Sequence, residues 1–390
     1  MMHKSLGLAF VMAYLGVASG FMRTSPGFNA IIKARPVVTV LDMGAGDVDI
    51  MTLTRFMIEN TKSNPDQQEM ESMMASIQMA CKKISSLVSR AGITDLTGMQ
   101  AGGGSINVQG EEQKKLDVIS NDVLKNALRC TGKLGVIASE EEESPVLVEE
   151  GLMGKYVAVF DPLDGSSNID AAISTGTIFG IFEEAGECVI DYDEDNLDEE
   201  EMQCLMQTLQ PGKSLVAAGY CMYSSSTILV FTMGNGLHGF TLDPQIGEFV
   251  LTHPNMRVPK RGKIYSFNEA NYNDWDEPLQ KYVDALKTGT GESGERYSSR
   301  YIGSMVGDVH RTLLYGGIFG YPGDKKNPNG KLRLLYEAAP MSFILEQAGG
   351  RSTTGTERIM DIEPKAVHQR VPTFLGSPDD VAELEKAFAK

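Results

Sequence analysis

The chain has 390 residues, 42% hydrophobic and 22% charged, enough apolar material for a large core and an ordinary composition for a soluble protein of two domains or subdomains. Thirty-five Lys and Arg against 52 Asp and Glu give a formal charge of −17, which argues against a non-specific nucleic-acid binder, since that needs a net basic face. Capture of anions stays open wherever cations, bound metal or backbone amides gather. Five cysteines are too few and too scattered for a disulfide scaffold, and no CxxC pair points to zinc.

The charge is uneven. Residues 1 to 41 hold Lys4, Arg23, Lys33 and Arg35 and no acid. Residues 5 to 18 form an apolar run behind His3 and Lys4, with the small residues Ala18, Ser19 and Gly20 at its end. This pattern reads as a signal peptide over 1–20, too short for a membrane span of roughly 20 apolar residues; a buried amino-terminal helix is the rival. Residues 21–45 have a transit-peptide-like composition, and the join VASG/FMRTS resembles the two-part presequences of algae whose plastids lie inside the secretory system. Import to a plastid stroma is the expectation, with secretion or another organelle as the alternative. A secreted protein would more often carry paired cysteines.

In the remainder, Met70, Met73, Met74, Ile77, Cys81, Ile84 and Val88 recur at spacings of three and four, which predicts a long helix closed by Gly92 with Cys81 in its buried stripe. Asn107–Gly110 reads as a turn, and a second helix is expected from Leu116. The apolar runs 135–139 and 156–160 read as buried strands. Residues 183 to 201 contain 11 acids and no Lys or Arg, so they are expected to form a solvated loop, flanked by Cys188 and Cys204, between strand-like TGTIFGIF and SLVAAGYCMYSSSTILVF. Further strands are expected at 237–242 and 247–251, and helices at 304–315 and 337–347, the last stopped by Gly349 and Gly350. No interior transmembrane segment is visible, and no stable membrane association is expected.

The main chemical signal is Asp161-Pro-Leu-Asp-Gly-Ser-Ser-Asn168, directly after a predicted buried strand. Two carboxylates three residues apart on a proline-stiffened segment repel, and a divalent cation relieves that repulsion. Gly165, Ser166 and Ser167 free backbone amides at what reads as a helix start, which suits a phosphate oxygen. Metal and phosphate together at one strand end are the layout of metal-assisted phosphoryl transfer to water. Glu140 and Glu141 end the neighbouring predicted strand and are expected on the same rim, whereas Glu142 and Glu143 read as solvated surface. Spacing alone does not decide whether Asp117 and Glu111 form an outer pair. In the last third, Lys331, Glu337, Arg300, Tyr301 and Tyr321 each fit either a phosphate or metal site or an ordinary surface.

Several motifs stand in one order: NVQGEEQKKLDV, IASEEE, DPLDGSSN, KIYSFNEAN, SSRYIGSM, DVHRTLLYGGI, GKLRLLYE and VHQRVP. From about Leu53 to the carboxyl end the chain resembles the class I fructose-1,6-bisphosphatases. That resemblance implies an α/β chain with a layered αβαβα sugar-phosphatase fold, as in the inositol-monophosphatase superfamily. It implies a subdomain at 50–255 carrying the acidic loop 183–210, a sugar-bisphosphate-binding subdomain at 256–390, and a homotetramer. It also implies two or three Mg2+ per subunit, with Mn2+ as a substitute. Carried over residue by residue, the metal ligands are Glu140, Asp161, the Leu163 carbonyl, Asp164 and Glu337, with Glu141 on a looser position. Asp117 with Glu141 would orient and deprotonate water. The 1-phosphate would lie on the amides of Gly165, Ser166 and Ser167 after Asp164, and the 6-phosphate on Asn268, Tyr301, Tyr321 and Lys331, with Arg300 reaching in from a neighbouring subunit. Glu111 would close over the metals opposite Arg333.

AMP-inhibited relatives hold the nucleotide phosphate with Thr, Gly and Thr, where this chain has Gln67, Gln68 and Glu71. Glu71 repels phosphate, so AMP inhibition is expected to be weak or absent even though Lys155 and Tyr156 match that site. The acidic loop resembles the insertion through which thioredoxin switches plastid members. The third cysteine of those proteins is Leu209 here, leaving Cys188 and Cys204 as the expected disulfide. The rival functions are a sedoheptulose-1,7-bisphosphatase or dual-specificity enzyme, and a catalytically silent regulatory homologue.

Overall fold

The protein is described here by a computed structural model over residues 50–62, 67–94, 96–98, 114–148, 154–184 and 206–389. The expected signal and transit segments, the Asn107–Gly110 turn, Glu111, Cys188, Cys204 and most of the acidic loop lie outside the described residues. Among the described residues no helix is long and apolar enough to cross a membrane.

Among the described residues, three helices come first. Helix α1 (Leu53–Thr61) starts at Thr52, whose hydroxyl accepts the Arg55 N–H at 3.2 Å. Helix α2 (Gln68–Val88) buries Met70, Met73, Met74, Ile77, Cys81 and Ile84, the stripe read from their spacing. It is capped at Ser89, so Gly92 lies beyond its end and does not close it. Helix α3 (Lys115–Arg129) follows.

An eight-stranded sheet then forms from β1 (Leu134–Ser139), β2 (Val146–Leu147), β3 (Tyr156–Asp164), β4 (Thr175–Glu183), β5 (Leu215–Tyr223), β6 (Thr227–Thr232), β7 (His238–Asp243) and β8 (Glu248–His253), in spatial order β2-β1-β3-β4-β5-β6-β7-β8. Its central strands read as unbroken apolar runs because both faces are covered. Along β3, Tyr156, Ala158 and Phe160 pack with α1, α2 and α3, while Val157 and Val159 join a second core on the other face.

The second sheet has the order β10-β9-β11-β15-β13, built from β9 (Ile264–Ser266), β10 (Ser298–Ser299), β11 (Ile318–Tyr321), β13 (Arg351–Thr353) and β15 (Thr373–Gly376). Helices α5 (Met305–Tyr315) and α6 (Ala339–Gln347) supply the apolar side chains between the two sheets. Helices α4 (Glu277–Thr288) and α7 (Pro378–Phe388) cover the outer face of the second sheet through Leu279, Tyr282, Val283, Val381 and Leu384. Residues 48–390 are one compact unit, and its layers run helix, sheet, helix, sheet, helix, the αβαβα order that the resemblance implied. A short pair, β12 (Leu332–Arg333) with β14 (Arg370–Val371), joins GKLRLLYE to VHQRVP.

Candidate active site

The site begins where β1 and β3 run parallel. Ser139 sits beside Phe160 in that pairing, so Glu140 and Asp161 emerge at one end, and the Glu140 N–H donates to the Phe160 carbonyl at 3.2 Å. Strand β3 does not stop at Phe160 but runs through Pro162 to Asp164, with its pairing to β4 interrupted between Asp161 and Asp164. Residues three apart on a regular strand face opposite sides, and the irregularity turns both carboxylates toward one place. The Leu163 N–H donates to Asp161 Oδ1 at 2.9 Å, while the Leu163 side chain is buried on the helix side.

Glu337 arrives from the far end of the chain on a single π-turn, Leu334–Ala338. The helix expected at 337–347 therefore begins later, at Ala339, with Pro340 in its first turn, where a missing N–H costs nothing. One carboxylate oxygen each from Asp161, Asp164 and Glu337 lie within 4.8 Å of one another.

All three acids are nearly inaccessible to solvent, and Glu140 is buried beside them. Burial pushes the Asp161 carboxyl well above the usual range, reinforced by Glu140, Asp164 and Glu337. Burial likewise raises Asp164 to about 7 and Glu337 to about 8. Arg333 lies within the cluster, with Nη2 2.9 Å from Glu140 Oε1 and Nη1 3.8 Å from Glu337 Oε2. One guanidinium does not balance four buried carboxyls. The all-oxygen donor set and the remaining negative charge fit a hard divalent cation.

Asp117, in the first turn of α3, faces this cluster. Its Oδ2 accepts the Lys114 N–H at 2.7 Å and the Ser166 hydroxyl at 3.2 Å, while Oδ1 is buried with no hydrogen-bond partner among the described residues. Burial raises its carboxyl to about 6. Glu141 is half-buried, its N–H donating to Ser139 Oγ at 3.3 Å. Glu143 is exposed as expected, but Glu142 is not free surface: its carboxylate accepts Asn121 Nδ2 at 2.7 Å and pairs with Lys125 on α3.

Gly165 adopts the left-handed conformation, φ 73°, that lets β3 turn into the short 3-10 helix Ser166–Ala171. Asn168 Nδ2 donates to the Gly303 carbonyl at 2.9 Å, and the Val306 N–H donates to Asp164 Oδ2 at 3.3 Å. These bonds join DPLDGSSN to the SSRYIGSM loop. In the second sheet β9 runs parallel to both β10 and β11, so Asn268, Arg300 with Tyr301, and Tyr321 stand at the same ends of three adjacent strands, as ligand-holding residues do in open α/β sheets. Burial, then Tyr321 and the carboxyls of Asp308 and Asp164, raise the Tyr301 phenol to about 12. Asn268 and Tyr321 line one small cavity. Lys331 and Arg300 are exposed.

Sequence reasoning gave no role to Asp308. It is fully buried on α5 and accepts from the N–H groups of Ile302 and Gly303, the Ser266 hydroxyl and Arg311. An Asp and an Arg three apart on a helix look like a solvent-exposed pair, and only the packing of α5 under the 300–303 loop distinguishes them.

The family model for the fructose-1-6-bisphosphatase amino-terminal domain matches residues 51–254, and that for the carboxyl-terminal domain matches 258–389. The chain is 59% identical over 342 residues to the chloroplastic fructose-1,6-bisphosphatase of Brassica napus, covering 87% of this chain and 82% of the relative. It is 58% identical over 344 residues to that of Spinacia oleracea, with coverage of 87% and 82%. Among solved structures, holo fructose-1,6-bisphosphatase from Leishmania major superposes with a TM-score of 0.80 at 44% identity, over 88% of this chain and 100% of that one.

Proposed function

The chain belongs to the fructose-1,6-bisphosphatase family, and from that premise we propose that it hydrolyses the 1-phosphate of D-fructose 1,6-bisphosphate to fructose 6-phosphate and phosphate in a plastid, serving carbon fixation and carbohydrate synthesis. The supporting observation is the convergence of Asp161, Asp164 and Glu337 within 4.8 Å, directly beside the Gly165 turn that opens the 3-10 helix Ser166–Ala171.

In this reading Glu140, Asp161, the Leu163 carbonyl, Asp164 and Glu337 hold Mg2+ or Mn2+, with Glu141 at a looser position. The metal supplies charge stabilisation to the phosphoryl oxygens. Asp117 is the general base. Its Oδ2 is fixed by Lys114 and Ser166, which leaves Oδ1 to take the proton of the attacking water, with Glu141 orienting that water. The amides of Gly165, Ser166 and Ser167 receive the 1-phosphate. Asn268, Tyr301, Tyr321 and Lys331 orient the 6-phosphate, and Arg300 extends toward a neighbouring subunit in a homotetramer. Arg333 is the internal counter-ion of the acid cluster, and Glu111 closes over it. Residues 1–20 and 21–45 direct import, and thioredoxin acts on Cys188 and Cys204.

Phosphate release from fructose 1,6-bisphosphate and from sedoheptulose 1,7-bisphosphate, with Mg2+, with chelator, and with or without dithiol, tests the reading. Mg2+-dependent release from the fructose ester is expected. Faster release from the sedoheptulose ester would reassign the substrate, and no release from either would leave a silent homologue.

A further inference from the structure

His368, in VHQRVP, lies between two turns that the chain brings together from opposite ends. Its Nε2 is 3.0 Å from the Glu142 carbonyl and 3.3 Å from the Glu143 carbonyl, and its Nδ1 is 2.7 Å from the Tyr336 hydroxyl. Carbonyls only accept, so Nε2 carries the ring proton and Nδ1 accepts from Tyr336. Burial lowers the imidazole pKa, which keeps that neutral tautomer. The ring also meets Tyr336 edge-on, with centroids 5.8 Å apart.

The bonded groups belong to the two acid-bearing turns. Glu142 and Glu143 directly follow Glu140 and Glu141, and Tyr336 directly precedes Glu337. Helix α3 holds the other side of the first turn, through Asn121 and Lys125 on the Glu142 carboxylate. The segment carrying His368 is itself anchored, because Leu334 donates its N–H to the Gln369 carbonyl at 2.7 Å and β12 pairs with β14.

We propose that His368 is a positioning residue for the metal site, a brace that ties the Glu140–Glu143 turn to the Leu334–Ala338 turn and so sets the spacing of Glu140 from Glu337. The inference rests on the reading that these acids hold a divalent cation. Residues that orient metal ligands from behind are worth tens-fold in metal affinity. With the Arg333–Glu140 ion pair, the ring links two segments whose own strands lie in different sheets.

Mn2+ binding to the full chain without substrate, followed by electron paramagnetic resonance, tests it, with thermal melts in chelator as the control for folding. His368→Ala, which has no side-chain donor, and His368→Asn, whose shorter amide does not reach the Nε2 position that bonds the Glu142 and Glu143 carbonyls, are expected to weaken Mn2+ binding about tenfold. His368→Gln, whose amide can still donate there, is expected to retain most of it. If the Ala variant does not fold, the Asn and Gln variants decide between themselves. Variants that bind Mn2+ as the unaltered chain does, even with a lower melting temperature, would overturn the brace and leave the metal reading standing. An unaltered chain that binds no Mn2+ would overturn the metal reading itself.

Discussion

The main-chain N–H of Ile302 stands 3.1 Å from each carboxylate oxygen of Asp308, so a buried acid on α5 holds the loop that presents Arg300 and Tyr301. The same carboxylate takes the Gly303 N–H at 3.1 Å and Arg311 at 2.6 Å. Asp308→Asn keeps the shape and removes the charge that orders these donors. It is expected to raise KM for the sugar bisphosphate about tenfold while leaving kcat nearly unchanged, since charged hydrogen bonds are worth about 1.5–3 kcal/mol. Asp308→Ala removes the carboxylate partner of Arg311 and is expected to cost about 3 kcal/mol in urea unfolding. A lowered kcat at constant KM would contradict a role confined to the loop proposed to hold the 6-phosphate.

Asp117→Asn preserves the bond to Ser166 but removes the proposed general base. Steady-state kinetics are expected to show kcat reduced by about 10²–10⁴ with KM and Mn2+ binding retained. Activity close to that of the unaltered chain would remove Asp117 from that role.

AMP inhibition is expected to be weak or absent. The cleft of about 670 Å³ between α1 and α2 is lined by Glu69, Glu71 and Lys133. Glu69 already neutralises Lys133 at 2.9 Å and stands 3.8 Å from Lys155, and Glu71 hydrogen-bonds Thr61. Acids in the first turn of α2 also take the place at the helix dipole that a phosphate would favour. Rates measured with micromolar AMP should stay constant, and inhibition in that range would refute this account.

Oxidation is expected to lower activity at modest Mg2+, and Cys188→Ser should abolish the difference between oxidised and reduced rates. The described cysteines supply the controls. Cys81 and Cys221 are fully buried and out of reach of a solution reductant, and burial pushes the Cys221 thiol well up. Cys130 is exposed, and Cys130→Ser should leave the response intact. A Cys188→Ser variant that still switches would point to another thiol.

His310 makes the fold sensitive to acid. Its Nδ1 lies 2.6 Å from the Tyr220 hydroxyl, and burial holds the imidazole down at about 4. A base whose folded pKa is depressed contributes stability that is intact above its unfolded value of about 6.5 and lost as pH falls toward 4, about 3 kcal/mol at most. Urea unfolding at pH 7.5 and 4.5 should show His310→Gln losing less stability across that interval than the unaltered chain. Equal losses would exclude His310 as the source.

Much of the first sheet and of helix α2 was legible because their signals are local. The Met70–Val88 stripe and the runs at 135–139 and 156–160 encode their period within a few residues, and those residues face a single layer or two. The boundaries were less legible. Strand β3 runs on through Pro162 because β4 pairs with it as far as Asp164, and the helix after Glu337 starts late because a π-turn intervenes. Glu142 read as surface because nothing near it in the chain reveals that Asn121 and Lys125 of α3 lie against it.

The sequence by itself determined the inventory: which acids, which glycine, which tyrosines, and a family order of motifs that supplied their expected roles. Only the tertiary structure decided their meeting. The parallel pairing of β1 with β3 brings Glu140 to Asp161, and the parallel trio β10-β9-β11 sets Asn268, Tyr301 and Tyr321 at one edge. The β12–β14 pair carries His368 to Glu142 and Tyr336. Such contacts join residues far apart in the chain, and their geometry follows from strand order and layer packing, for which no local spacing carries a signal.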